Sequence, residues 1–269
     1  MPPAISTHEL TRRFDALTAV DALSLDVQPG EVFGLLGPNG AGKTTTIKML
    51  ITLLPPTGGG ATVAGHDILH DPRLVRRSIG YVPQLLSSDG ALSARENLMT
   101  SARLYHLPAA ERDARIGEAL EFMALEDSAD RLVRTFSGGM IRRLEIAQAM
   151  LHRPEVLFLD EPTVGLDPNA RRAVWQHIRE LRQAEGTTIL LTTHYMDEAA
   201  ELCGRVGFMH LGKLVALGTP AELSARAGTG KDLDDAFTFF TGSGLSDAGE
   251  QGGQYRDVAR TRRTARRLG

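Results

Sequence analysis

A chain of 269 residues that is 42% hydrophobic has enough apolar surface for one large α/β domain, or for a domain with a subdomain and a tail. Its 30 basic and 33 acidic side chains leave a net charge of −3, which argues against a dedicated nucleic-acid binder, since such domains carry a basic excess. One cysteine, Cys203, excludes an internal disulfide framework and reads as a small packed residue, and no apolar run approaches the roughly 18 residues that a membrane span needs.

The opening residues Met1-Pro2-Pro3-Ala4-Ile5-Ser6 show no basic region followed by an apolar core, so no signal peptide is expected, and the chain reads as soluble and cytoplasmic. Residues 5 to 37 alternate apolar and polar in short runs, with Leu23, Leu25 and Val27 on one face and a turn at Pro29-Gly30. This pattern predicts antiparallel strands that lead into a core strand. Phe14, an aromatic among charges in Arg12-Arg13-Phe14-Asp15, reads by itself as an edge or core residue.

The apolar run Val32 to Leu36 is followed by Gly37-Pro38-Asn39-Gly40-Ala41-Gly42-Lys43-Thr44-Thr45 and then by a helix-like stretch to Leu50. This is G-x-x-x-x-G-K-[ST] in the strand-loop-helix setting of a P-loop. Three glycines within six residues let successive N–H groups turn inward at a helix N-terminus and form an anion site. Lys43 is placed to reach the β- and γ-phosphates of a nucleoside triphosphate, and Thr44 to ligate Mg²⁺.

Pro55-Pro56-Thr57-Gly58-Gly59-Gly60 reads as a turn cluster and Ala61 to Gly65 as a short strand. Ile79 to Gln84 reads as another strand with Gln84 at its C-terminal end, where ligands sit in open α/β sheets. From about 85 to 153 the pattern turns helical. Ser93 and Glu96 predict a capping box, a second helix runs from Pro108 to about Met123, and a third spans Ile141 to Leu151. Ser137-Gly138-Gly139 before that third helix is a second possible anion site, although a cap and a turn also account for it.

Val156 to Asp160 is a continuous apolar run that ends in two carboxylates, Asp160 and Glu161, as a central parallel strand would. Asp160 is the expected Mg²⁺ partner of the P-loop. A helix is predicted over 171–185 and a buried strand over 187–192, which ends at Thr193-His194. His194 is the histidine at the end of a strong core strand; the other seven read as surface or structural, since no metal-ligand spacing joins them. Two short strands near 204–210 and 213–217 follow, joined at Leu211-Gly212. Residues 243–269 are Gly/Ser-rich and then basic, with six Arg and one Asp over 256–269, and are expected to be a disordered tail with a possible affinity for anionic membrane surfaces.

The P-loop, Gln84, Ser137-Gly138-Gly139, Asp160-Glu161-Pro162-Thr163, Gly165-Leu166-Asp167 and Thr193-His194 resemble, in order and spacing, the nucleotide-binding subunit of an ATP-binding cassette (ABC) transporter over about residues 5–242. The resemblance implies an α/β P-loop NTPase with a mostly parallel core sheet, an N-terminal antiparallel β subdomain and an inserted helical subdomain at about 85–153. It also implies roles: Phe14 stacking on adenine, Gln84 contacting Mg²⁺ and the attacking water, Glu161 as general base, Asp160 for Mg²⁺, and His194 at the γ-phosphate. Asp167 and Ser137 to Gly139 would meet the nucleotide held by a second chain, expected to be identical, in a head-to-tail dimer.

The implied cofactors are ATP and Mg²⁺. The implied partners are that second ATPase subunit and a separate polytopic permease, with no nucleic acid, and the implied place is the cytoplasmic face of the membrane. The usual Leu-Ser-Gly-Gly-Gln is here Phe136-Ser137-Gly138-Gly139-Met140. With Val164 to Pro168 and the segment Leu233 to Phe237, it resembles exporters of the daunorubicin-resistance type, which handle drugs, antibiotics and other hydrophobic compounds. Importer ATPases, and soluble ABC ATPases of translation or DNA repair, are the alternatives.

Overall fold

Alternation in the first 27 residues produces a hairpin in which β1 (Ile5–Phe14) and β2 (Leu17–Val27) run antiparallel, with Ile5 opposite Val27 and Phe14 opposite Leu17. The computed structural model describes residues 2–242; the stretch 243–269, expected to be a disordered tail, lies outside the described residues. Next come β3 (Val32–Leu36), α1 (Lys43–Leu50), β4 (Gly58–Val63), β5 (His66–Asp67), α2 (Pro72–Ser78) and β6 (Ile79–Val82). The helices α3 (Ala94–Leu104), α4 (Ala109–Phe122) and α5 (Gly138–Met150) lead to β7 (Val156–Asp160), α6 (Pro168–Glu185), β8 (Thr188–Thr193) and α7 (Met196–Leu202). The described chain closes with β9 (Arg205–His210), β10 (Lys213–Gly218), α8 (Pro220–Ala227) and α9 (Leu233–Thr241).

Two sheets result. One is six-stranded in the order β10-β9-β3-β8-β7-β6, parallel throughout except for the edge strand β10; the other is four-stranded and antiparallel in the order β2-β1-β4-β5. This is the α/β P-loop fold expected from the sequence, with its antiparallel β part and its helical stretch. Every residue of β3, β7 and β8 is buried, as continuous apolar strands covered on both faces must be.

Because successive side chains on a strand point to opposite faces, each central strand feeds two cores. Leu36, Leu157 and Leu159 pack with Leu98, Ile116 and Leu144 of the helical stretch. Phe33, Leu35 and Phe158 pack instead with Ile5, Ile47 and Val63 on the antiparallel side. The strand ends that carry function are thereby held between two apolar layers.

The structure departs from the sequence reading in three places. β6 ends at Val82, because Pro83 has no N–H to donate to a ladder, so Gln84 stands in the loop after the strand and not at its end. Gly58 to Gly60, read as part of a turn, belong to β4, with Gly60 opposite His8 and Gly58 opposite Thr11. The reason is close approach: a Cβ on Gly59 would lie 2.1 Å from the Glu9 carbonyl oxygen, at a bulge where Glu9 itself has φ 46. The short helices α2, α7, α8 and α9 also escaped the reading, since 7 to 9 residues give too few turns for a periodic signal.

Candidate functional site

β3 ends at Leu36, and the loop from Gly37 swings back over the C-terminal edge of the sheet before α1 begins. Gly42, the N-cap of α1, has φ 109, and a Cβ there would lie 2.4 Å from the Ala19 carbonyl oxygen of β2. A Cβ on Gly37 would lie 2.2 Å from the Met209 carbonyl oxygen of β9. Both positions are thus confined to glycine by neighbouring backbone. With no side chain at its N-cap, α1 makes no capping hydrogen bond from a side chain, unlike α3, α5, α6, α8 and α9. Its first-turn amides and positive dipole end are therefore available to an anion. Pro38 is buried, Asn39 and Gly40 are exposed, and the Ala41 carbonyl is held by the Gly212 N–H at 3.0 Å.

Lys43 and Thr44 point towards the ends of β7 and β8. The Lys43 ammonium donates to the carbonyls of Gly37 (2.7 Å) and Pro38 (3.2 Å) and forms an ion pair with Glu161 Oε1 at 3.2 Å. The Thr44 hydroxyl donates to Asp160 Oδ1 at 3.1 Å, and the Thr192 hydroxyl donates to the same oxygen at 2.6 Å. Asp160 and Thr192 face one another in the parallel register of β7 and β8. Thr45, the next residue of α1, is half-buried.

Glu161 leaves the strand with φ 50, a left-handed conformation that costs a non-glycine residue about 1–2 kcal/mol. Its N–H holds this turn by donating to the Thr192 carbonyl (3.0 Å) and hydroxyl (3.1 Å). The turned carboxylate collects three partners. Gln84 Nε2 donates to Oε2 at 2.8 Å, Lys43 lies on Oε1, and His194 Nδ1 lies 3.5 Å from Oε1. Burial alone would push the Glu161 carboxyl up, but the His194 ring and the Lys43 ammonium beside it outweigh burial and hold it below the usual carboxylate range. Burial lowers the Lys43 ammonium, and the Glu161 and Asp160 carboxylates offset part of that shift.

The structure therefore brings Lys43, Thr44, Gln84, Asp160, Glu161 and His194 into one connected cluster. It places Ser137, Gly138, Gly139 and Asp167 elsewhere on the chain, where the first turns of α5 and α6 meet. Ser137 Oγ caps α5 by accepting from Met140 N–H at 3.3 Å, and Asp167 caps α6 by accepting from the N–H groups of Asn169 and Ala170, both at 3.0 Å. A Cβ on Gly139 would lie 2.8 Å from Ala170 Cβ and one on Gly138 3.2 Å from Leu166, so these glycines also let the two helices approach. Phe14 stands near the tip of the β1–β2 hairpin, 40% exposed, with the Arg12 guanidinium 4.5 Å from its ring centroid. The same hairpin supplies the Ala19 carbonyl packed against Gly42.

Three participants were missed in the sequence. Thr192 positions both carboxylates, and its signal was the doublet Thr192-Thr193 at the end of an apolar strand opposite Asp160. Glu198 is fully buried on α7, where Oε1 accepts from Thr163 Oγ1 (2.7 Å) and Trp175 Nε1 (2.8 Å). It joins the stretch after Glu161 to the helix after His194. Arg142, fully buried on α5, reaches the backbone beside Gln84. Cys203 is buried, and desolvation pushes its thiol well up, as befits a packed residue.

Among the described residues no cluster of three or more His, Cys, Asp or Glu could hold a metal ion. The hard oxygens of Thr44 and Asp160 suit a cation that keeps most of its shell as water and phosphate oxygen, which is the habit of Mg²⁺.

Comparison with known proteins places these features in context. Residues 20–164 match the sequence family described as ABC transporter. The chain is 47% identical over 226 residues to the daunorubicin/doxorubicin resistance ATP-binding protein DrrA of Streptomyces peucetius, covering 84% of this chain and 68% of the relative. It is 47% identical over 219 residues to the Nod factor export ATP-binding protein I of Burkholderia thailandensis, covering 81% and 72%. Among solved structures it resembles an ATP-binding subunit of an ABC transporter (TM-score 0.79, 31% identity, 88% of this chain and 99% of that one). It also resembles a dimeric ATP-binding cassette in a post-hydrolysis state bound to ADP and Pi (TM-score 0.72, 25% identity, 80% and 98%).

Proposed function

Because the chain belongs to the ABC transporter family as an ATP-binding domain, we propose that it hydrolyses ATP to power export of drugs, antibiotics or other hydrophobic compounds. The transport path belongs to a separate polytopic permease, on whose cytoplasmic side this subunit docks. No helix among the described residues is long and apolar enough to cross a membrane. Residues 5–242 form the ATPase domain on this reading, and the helical stretch at about 85–153 passes motion to the permease.

One observation carries the reaction: the Glu161 carboxylate stands at the end of β7 in contact with Gln84, Lys43 and His194, next to a P-loop whose first helical amides lack a side-chain cap. Glu161, held ionised, accepts the proton of a water that Gln84 orients, while Lys43 and His194 offset charge on the γ-phosphoryl oxygens. Thr44, Asp160 and Gln84 would hold Mg²⁺, which when bound neutralises charge on the β- and γ-phosphate oxygens. Phe14 on its hairpin supplies a face for adenine.

Ser137, Gly138, Gly139 and Asp167 lie at the meeting of α5 and α6 and share no hydrogen bond or ion pair with the cluster among the described residues, which supports a role towards the nucleotide of a second copy. Catalysis then takes two chains, head to tail, with two ATP molecules between them. Transport follows by linkage, since ATP can drive a closure only through contacts that exist in the closed state.

The test is Glu161→Gln in the full chain. It should trap an ATP-bound dimer and slow turnover at least ~100-fold, and wild-type turnover per chain should rise with protein concentration. A variant that stays monomeric with ATP and hydrolyses at the wild-type rate overturns the assignment.

A further inference from the structure

α5 starts at Ser137, and three positions spaced for one helical face, Arg142, Glu145 and Gln148, are turned onto the loop that follows β6. The Arg142 guanidinium donates from Nη1 to the Pro83 carbonyl at 2.7 Å and from Nη2 to the Gln84 carbonyl at 3.0 Å. Nη1 also binds Glu145 Oε2 at 3.0 Å. The second oxygen of Glu145 accepts from the Ser87 N–H, the Ser87 hydroxyl (3.1 Å) and the Ser88 N–H (3.3 Å). Gln148 accepts from the Ser88 hydroxyl at 2.8 Å. Residues 83, 84, 87 and 88 are thus each bound to α5.

This is a costly way to fasten a loop. The side chains of Arg142 and Glu145 are each 2% exposed, and Arg142 is first among the largest fully buried side chains. Desolvating both charges consumes most of what their attraction returns, so an apolar pair of similar volume would serve stability as well or better. The Arg142 Nε is buried without a partner, so the guanidinium is oriented for the loop rather than for its own full satisfaction. What the charged pair provides, and an apolar pair cannot, is a set of directional bonds to the backbone on both sides of Gln84.

We propose that Arg142 and Glu145 are positioning residues that set Gln84 against Glu161, and that α5 is a rigid lever joining the Ser137 end of the chain to Gln84. The inference rests on the ATPase reading above and deepens it. Arg142 stands five positions beyond Ser137, about 7.5 Å of helix rise, with no break in the helix between them. A displacement of α5 by the phosphates that Ser137 meets is carried through Arg142 to Pro83 and Gln84, and from Gln84 Nε2 to Glu161 Oε2 at 2.8 Å. Each chain would thereby couple the nucleotide it closes over to the base of its own site.

The test compares wild type with Arg142→Lys, which keeps the charge but loses the two-pronged donor, and with Ser87→Pro. The second variant removes an amide donor from an exposed loop position and leaves α5 untouched, so it stands in if the buried substitution prevents folding. The full chain is assayed for kcat, KM for ATP and amide exchange over residues 84–88. We expect kcat to fall about tenfold or more with KM for ATP unchanged within twofold, since misplacing a catalytic group by an ångström has effects of that size. Exchange over 85–88 should accelerate in both variants. Turnover retained while exchange accelerates overturns the inference, as does a KM that rises in step with the fall in kcat. A wild-type chain that never hydrolyses ATP would instead overturn the ATPase reading itself.

Discussion

Lys43 Nζ lies 3.2 Å from Glu161 Oε1, and the two side chains are 4% and 5% exposed, so the P-loop lysine and the carboxylate at the end of β7 form a buried ion pair. Incoming phosphate has to compete with Glu161 for Lys43. Truncating one partner leaves the other charge buried and unpaired. Lys43→Met should therefore destabilise the nucleotide-free chain by about 3 kcal/mol, and Lys43→Met/Glu161→Gln should lose less than the sum of the two single changes. Urea denaturation of the four proteins without nucleotide measures the coupling; strict additivity would show that the pair contributes nothing.

Gly42 combines φ 109 with a backbone oxygen 2.4 Å from where a Cβ would sit, whereas Gly65 has φ 76 and nothing within 4 Å. Alanine at position 65 meets only conformational strain, about 1–2 kcal/mol. Alanine at position 42 adds a clash with Ala19 that the hairpin cannot relieve without moving off the P-loop. Gly42→Ala should lower ATP affinity by at least about tenfold, about 1.4 kcal/mol, while Gly65→Ala leaves it unchanged. Calorimetric titration of the two variants with ATP decides.

Glu198 carries both of its hydrogen bonds on Oε1, and Oε2 is buried without a partner. Removing the carboxylate orphans the Thr163 hydroxyl and the indole N–H of Trp175, the one tryptophan in the chain. Glu198→Ala should cost about 2–3 kcal/mol and Thr163→Val about 1 kcal/mol. Trp175 fluorescence followed through denaturation reports both losses; an unfolding midpoint for Glu198→Ala equal to wild type would contradict this account.

His152 stacks on Tyr105 with ring centroids 3.7 Å apart and bonds the Ile79 carbonyl through Nε2 at 3.0 Å, while Nδ1 is buried without a partner. Burial lowers its pKa below 6.5, against a smaller opposing effect of the Ile79 carbonyl. A histidine with a lowered folded pKa binds fewer protons folded than unfolded. Its contribution to stability is therefore full above the unfolded value of 6.5 and is lost as pH falls from there through the folded pKa. His152→Phe, which keeps the stack, should flatten part of the loss of stability between pH 7.5 and pH 5.5. His177, also lowered by burial first, keeps its own share of that slope in the variant. Melting curves at the two pH values give the comparison.

The P-loop was legible because everything that defines its pattern lies within nine consecutive residues, although the Ala19 carbonyl that confines position 42 to glycine comes from β2. The apolar runs before Asp160 and Thr193 likewise announced buried parallel strands, and the Ser93–Glu96 capping box formed as its spacing predicted. Gly58 to Gly60 were misread because their reason is not local: they admit the bulged backbone of β1, some fifty residues away. Arg142 and Glu145 looked like ordinary charges on an amphipathic helix, and only the packing of α5 against the β6 loop buries them.

The sequence by itself determined the P-loop and the strands and helices around it, because strand, loop and helix signals and the P-loop spacing act between near neighbours. The tertiary structure alone decided which of them meet. The Thr44–Asp160 bond spans 116 positions and the Gln84–Glu161 bond 77. Both exist because parallel register sets the ends of β3, β6, β7 and β8 along one edge of the sheet, and no local propensity encodes that alignment.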